Sequence, residues 1–300
     1  MNTLSESRRQ QAVQYIKQQA RPLEQKVFAY YFEAGSKDAI LQELSQFQNE
    51  DGGFGKALEP DLRTSHSSVL ATTIAFQKFR EIQAPANTPI VQQAAQYVLN
   101  TYDAAHKIWP IIPPNVDEAP HAPWWNYDND PQRFLVNPRA EILGYFYDYP
   151  DLFPEGLREE LTQEVLQHLA QQSDEIEMHD ILCYIRLCEA RNLPPAVQAP
   201  LLAKLKPAVM KAVVQDPLQW GNYGLTPLSV VSSPQSLFYA DFAPLLPANL
   251  AYIAQSQAEE GCWSPTWSWE DSSKEGWQAA ERDLRGFFTV SNLLLFRCFS

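Results

Sequence analysis

Apolar residues recur along this chain at helical intervals. In DAILQELSQFQ, Ile40, Leu44 and Phe47 fall at i, i+4 and i+7, leaving Gln42, Glu43 and Gln46 for solvent. Leu157, Leu161, Val165, Leu166 and Leu169 repeat that spacing beside Glu159, Glu160, Glu164 and Gln167. Both patterns predict helices buried on one side only. Three further segments, 68–79, 181–190 and 284–299, are apolar nearly all round. A helix without a polar face must be enclosed on every side. One-sided and enclosed helices thus alternate, which is what two concentric helical rings require.

Six outer/inner pairs account for the chain: 5–20 with 22–34, 38–48 with 66–82, 88–103 with 138–148, 157–171 with 179–191, 197–214 with 226–242, and 248–257 with 278–299. At about 50 residues per pair, this is an internal repeat of helical hairpins. Pro227 and Pro234 would interrupt the fifth inner helix. Ser65 is the expected N-cap of the second inner helix. Length alone suggests about two domains. The repeat favours one, spanning 1–300.

Composition agrees with helices ended by turns: glycine is scarce (11) and proline frequent (23). With 45% hydrophobic and 20% charged residues the chain has material for a large core. Its net charge of −13 argues against nucleic acid and anionic membrane as partners. No apolar run reaches the roughly 18 residues of a membrane span. The opening MNTLSESRRQQ lacks the apolar stretch of a secretory signal. Cys183, Cys188, Cys262 and Cys298 show no CxxC spacing, which points to reduced thiols in the cytoplasm.

Several outer-to-inner junctions share a signature. QNEDGGFG (48–55) is the clearest, QAEEGCW (257–263) and QDPLQWGNYG (215–224) are weaker, and the stretches around Trp109 and Asp174 are degenerate. A glutamine at a helix end, an acid, glycines and then an aromatic resembles the QW-type repeat of the terpenoid cyclase and protein prenyltransferase superfamily. That resemblance implies an all-α fold, an α/α toroid of about six helical hairpins. Gly52 and Gly53 would allow the reversing turn, while Phe54 or Trp263 would wedge between hairpins. The superfamily's chemistry is not matched. Asp128-Asn129-Asp130-Pro131 lacks the last acid of DxDD, and neither an Asp-x-Cys zinc set nor DDxxD is present. No glycine-rich phosphate loop and no metal-ligand spacing is present, so no cofactor and no metal are expected.

In such a ring every outer-to-inner turn opens at one mouth. All eight tryptophans lie in or beside these turns. The two longest turns, 104–137 and 259–276, carry Trp124, Trp125, Asp128 and Asp130, and Trp267 and Trp269. An indole beside a carboxylate holds a neutral polyhydroxy ligand or a cation by stacking and hydrogen bonding. The starts of the inner helices add Glu59, Asp61, Arg63 and His66, then Arg139, then His179 and Asp180, then Asp283. Asp61, His66, His179 and Asp180 are the candidate acid–base residues. The other named residues are candidate ligand contacts, although Arg139 with Glu141 and Asp283 with Arg285 could instead pair to brace their helices. Acidic turns would repel a diphosphate approaching from water. The expected function is therefore binding or transformation of a neutral or cationic small molecule, isoprenoid-like or carbohydrate, in an aromatic, acidic cavity. A non-catalytic binding or scaffold protein, and a carbohydrate-active hydrolase or lyase using paired carboxylates, are the alternatives.

Overall fold

The computed structural model describes residues 4–128 and 130–300, and among these it is all-helical, with isolated β-bridges but no strand. In chain order the α-helices are α1 (Glu6–Gln19), α2 (Pro22–Phe32), α3 (Lys37–Ser45), α4 (Val69–Glu81), α5 (Pro89–Asn100), α6 (Arg139–Asp148), α7 (Glu155–Gln171), α8 (Met178–Cys188), α9 (Pro195–Ala212), α10 (Pro227–Val230), α11 (Tyr239–Phe242), α12 (Leu246–Gln255) and α13 (Lys274–Cys298). No helix is long and apolar enough to cross a membrane among the described residues. The contacts divide the chain into two compact units: 45–212, and 1–44 together with 213–300.

In the 45–212 unit, α6 packs on α4, α7 and α8, and all ten of its residues are buried. Burying Glu141 and Asp148 demands partners. Glu141 accepts from the Tyr145 hydroxyl, from Gln77 Nε2 at 2.8 Å and from Arg186 Nη1 at 2.9 Å. Asp148 takes Arg80 Nε at 2.5 Å and the Arg191 amide at 2.8 Å. The pairing of Arg139 with Glu141 expected from their closeness in sequence does not form, because these cross-helix arginines satisfy the carboxylates. By contrast α7 buries one stripe (Leu161, Thr162, Val165, Leu169) and is solvated elsewhere, as its pattern predicts. α4 begins at Val69, and its N-cap is Ser68, whose Oγ accepts the Ala71 amide; Ser65 lies three residues upstream in the turn.

In the other unit, α13 packs against α1 and α2, and α10 against α12. The fifth inner segment is broken as its prolines predict, into α10 and α11 of four residues each. Arg285 pairs with Glu281 at 2.8 Å, one turn back on α13.

The two clearest signature turns, one in each unit, have the same construction. Gln48 Nε2 donates to Gly52 O (2.9 Å) and to Ile90 O in α5 (3.1 Å). Gln257 Nε2 donates to Gly261 O (2.8 Å) and to Arg8 O in α1 (3.0 Å). Gly52 and Gly261 sit at φ +87° and +93°, a region glycine enters without penalty. A Cβ on either would lie within 2.5 Å of backbone, that of Gln93 or Gln11. The Phe54 amide donates to Thr72 Oγ1 and the Trp263 amide to Thr289 Oγ1. Indole N–H groups complete the repeat: Trp109, Trp220 and Trp263 each donate at 2.7 Å to a carbonyl at or just beyond the end of the preceding one-sided helix, Val98, Val214 and Ile253. These three tryptophans are wedges between elements.

Candidate functional site

The long 104–137 turn folds back over residues 56–68. Backbone bonds join the Arg63 amide to Pro120 O (3.1 Å) and the Ala122 amide to Asp61 O (2.9 Å). Beneath them Leu62, Ile108, Ile111, Ile112, Val116 and Phe134 form an apolar cluster on which Trp125 packs. Glu59, Asp61, Arg63, Trp124 and Trp125 are thereby gathered at one shelf, although some 60 residues separate the two segments. Asp61 is buried, its amide bonded to Glu59 Oε1 at 3.3 Å. Arg63 Nη1 reaches Pro60 O. Trp124 is 40% exposed, and its carbonyl accepts from Arg133. Asp128 is exposed and pairs with Arg133 at 2.7 Å. The Asp130 amide and that arginine hold its carboxyl below the usual range. Asp130 is exposed too, and Asn129 of the degenerate acid string lies outside the described residues.

His66 Nε2 meets Glu118 Oε2 at 2.8 Å, both side chains largely exposed. His179 Nδ1 meets Glu177 Oε1 at 2.8 Å, within the cap of its own helix. Each candidate base has thus a local carboxylate partner, Glu118 or Glu177, that the sequence did not single out. Next to His179, burial and then the neighbouring Glu177 push the Asp180 carboxyl up to about 6. Arg139 is buried, donates to Lys107 O at 3.3 Å, and keeps its Nε without a partner among the described residues; burial lowers its pKa. Among the described residues no group of three His, Cys, Asp or Glu side chains could hold a metal.

In the unit of 1–44 and 213–300, Trp269 is buried edge-on to Trp277, their centroids 5.9 Å apart, so it is core. Trp267 is half-buried and central to a chain of rings: edge-on to Tyr223 (5.5 Å) and to Phe288 (5.7 Å), with Phe287 a further 5.4 Å from Phe288. Tyr223 and Phe287 are 54% and 38% exposed, so the chain presents ring surface to solvent. Asp283 precedes Phe287 by four residues and shares its face of α13. Sequence pattern alone did not reveal this wall, because Phe287 and Phe288 read there as core of an apolar helix.

A separate open cleft of about 730 Å³ lies between α1, the 259–260 turn and α13. Its lining includes Gln11, Gln14, Tyr15 and Gln18 of α1, Glu259 and Glu260, and Arg282 and Arg285 of α13. The α1 residues recur at three- and four-residue intervals and so share one face of the helix, a face that the sequence reading did not single out. Tyr15 lies beside the Cys262 thiol; burial, then that thiol, raise its phenol to about 12.

No protein-family model matches this chain, and no curated protein matches it at a significant level.

Proposed function

We propose that the chain is an α/α toroid of the terpenoid cyclase and prenyltransferase kind that binds a neutral or cationic small molecule. Support for the ring comes from the two equivalent turns. The turn after α3 docks on α5, the next one-sided helix, whereas the turn after α12 docks on α1, the first, in the same register. A last repeat that takes the first helix as its successor is what a closed ring of hairpins calls for. The cysteine spacing supports a cytoplasmic setting.

The ligand reading rests on one observation, the partly exposed run Tyr223, Trp267, Phe288 and Phe287 with Asp283 on the helix face of Phe287. Ring faces stack on sugar C–H surfaces or on a cation, and a carboxylate accepts hydroxyl or ammonium hydrogens. An isoprenoid would make no use of that acid. Intrinsic fluorescence titration with maltotriose, tetramethylammonium and farnesol tests this. One of the first two should saturate the signal, and Trp267→Ala should weaken it about tenfold, the scale of a desolvated cation–π contact. Absence of saturation by both, or an unaltered response in the variant, would refute the site. Asp180 supports a second reading, acid–base catalysis at the start of α8, since a carboxyl at about 6 exchanges protons near neutrality.

A further inference from the structure

The cleft between α1 and α13 lies on the other side of α13 from the aromatic wall. Gln278, Arg282 and Arg285 recur at i, i+4 and i+7, about half a helical turn away from Asp283 and Phe287. Apart from the Glu281–Arg285 pair, its charged and amide groups are unengaged among the described residues. The side chains of Gln11, Gln14, Gln18, Glu259, Glu260 and Arg282 form no hydrogen bond or ion pair with the described residues. Behind them Arg285 uses Nη2 on Glu281 (2.8 Å), while its buried Nε has no partner among the described residues.

The equivalent turn in the other unit sharpens the point. There Asp51, the counterpart of Glu260, accepts from the Gly53 amide (2.9 Å) and the Ser67 hydroxyl (2.7 Å). Asn49, the counterpart of Ala258, bonds Ser65 O and Ser67 Oγ. The same backbone turn is therefore built twice, once with Asn49 and Asp51 bonded into the structure and once with Glu259 and Glu260 lining an open cavity; Glu50, the counterpart of Glu259, is exposed as well. Among the described residues Glu259, Glu260 and Arg282 make no bond that holds the fold together.

Charge decides the ligand class. Two carboxylates lie in the turn, α13 adds two guanidiniums together with Gln278 and Glu281, the latter paired with Arg285, and Tyr15 and neutral amides on α1 complete the lining. A purely anionic or purely cationic ligand would meet one set of like charges. A ligand with an ammonium at one end, a carboxylate at the other and amide groups between would satisfy all three. We propose that this cleft binds a zwitterion of the amino-acid or dipeptide class, its ammonium at Glu259 and Glu260 and its carboxylate at Arg282, backed by Arg285. The volume lies inside the range of roughly 300–1,000 Å³ typical of small-ligand pockets.

Calorimetric titration of the full chain with alanyl-alanine, its N-acetyl form and its C-terminal amide tests the proposal. The free dipeptide should bind, and each blocked form should bind at least about tenfold more weakly, the effect of removing one charge-assisted contact. Arg282→Ala should erase discrimination against the amide, and Glu259→Gln with Glu260→Gln should erase discrimination against the acetyl form. These side chains are exposed, so unchanged melting temperatures will separate lost recognition from lost folding. Trp267→Ala should leave dipeptide binding intact, which keeps this result independent of the aromatic site. No heat from the free dipeptide at about 10 mM, or a preference below tenfold, would overturn the assignment.

Discussion

The turns at 48–54 and 257–263 are one device in two settings. Both use a glutamine to tie the turn to a neighbouring helix and a left-handed glycine pressed on that helix's backbone. The register continues outward: Ile90, Gln93 and Tyr97 of α5 correspond to Arg8, Gln11 and Tyr15 of α1. They differ at the next position. Gly53 leaves room that the Tyr97 ring fills, such that a Cβ there would sit 2.5 Å from it. Cys262 brings a side chain instead, which lies beside Tyr15. Backbone geometry thus belongs to the repeat, whereas the acid before the glycine is bonded in one copy (Asp51) and unbonded among the described residues in the other (Glu260).

The most damaging test of this equivalence is Gly52→Ala against Gly261→Ala. Each imposes a Cβ at φ near +90° and within 2.5 Å of a helix backbone, so each should lose about 3 kcal/mol in urea unfolding. A loss at only one position would mean that the turns are not equivalent. Next come Gln48→Ala and Gln257→Ala, which each remove two donated bonds and should cost about 1–2 kcal/mol. The smallest pair separates structure from recognition. Asp51→Ala gives up bonds to Gly53 and Ser67 and should cost about 1 kcal/mol, whereas Glu260→Ala should stay within about 0.5 kcal/mol of wild type. Equal losses there would show that Glu260 is structural after all.

Much of the helical order was legible because burial imposes a period. The one-sided stripe of α7 and the proline break between α10 and α11 follow from local residues. By contrast α6, with its charged residues, is enclosed without having read as apolar, and the 284–299 segment, which did, exposes Phe287 and Cys298. Site residues were legible only where a turn brought them together. Glu59, Asp61, Arg63, Trp124 and Trp125 do share a shelf, but His66 and His179 find Glu118 and Glu177 rather than each other. The partners lie either two residues away or 52 residues away, and no periodicity encodes the second kind.

Left to itself, the chain specified which segments coil, where glycine or proline ends them, and that a glutamine–glycine–aromatic turn recurs. Those are short-range matters of dihedral freedom and of which side of a helix can tolerate water. Tertiary packing decided the rest: which carboxylates are neutralised across helices, which tryptophans become wedges, and which copy of the repeated turn keeps its polar atoms for something else. Such choices depend on neighbours distant in sequence, because a charge or an indole acquires its role only from what closes over it.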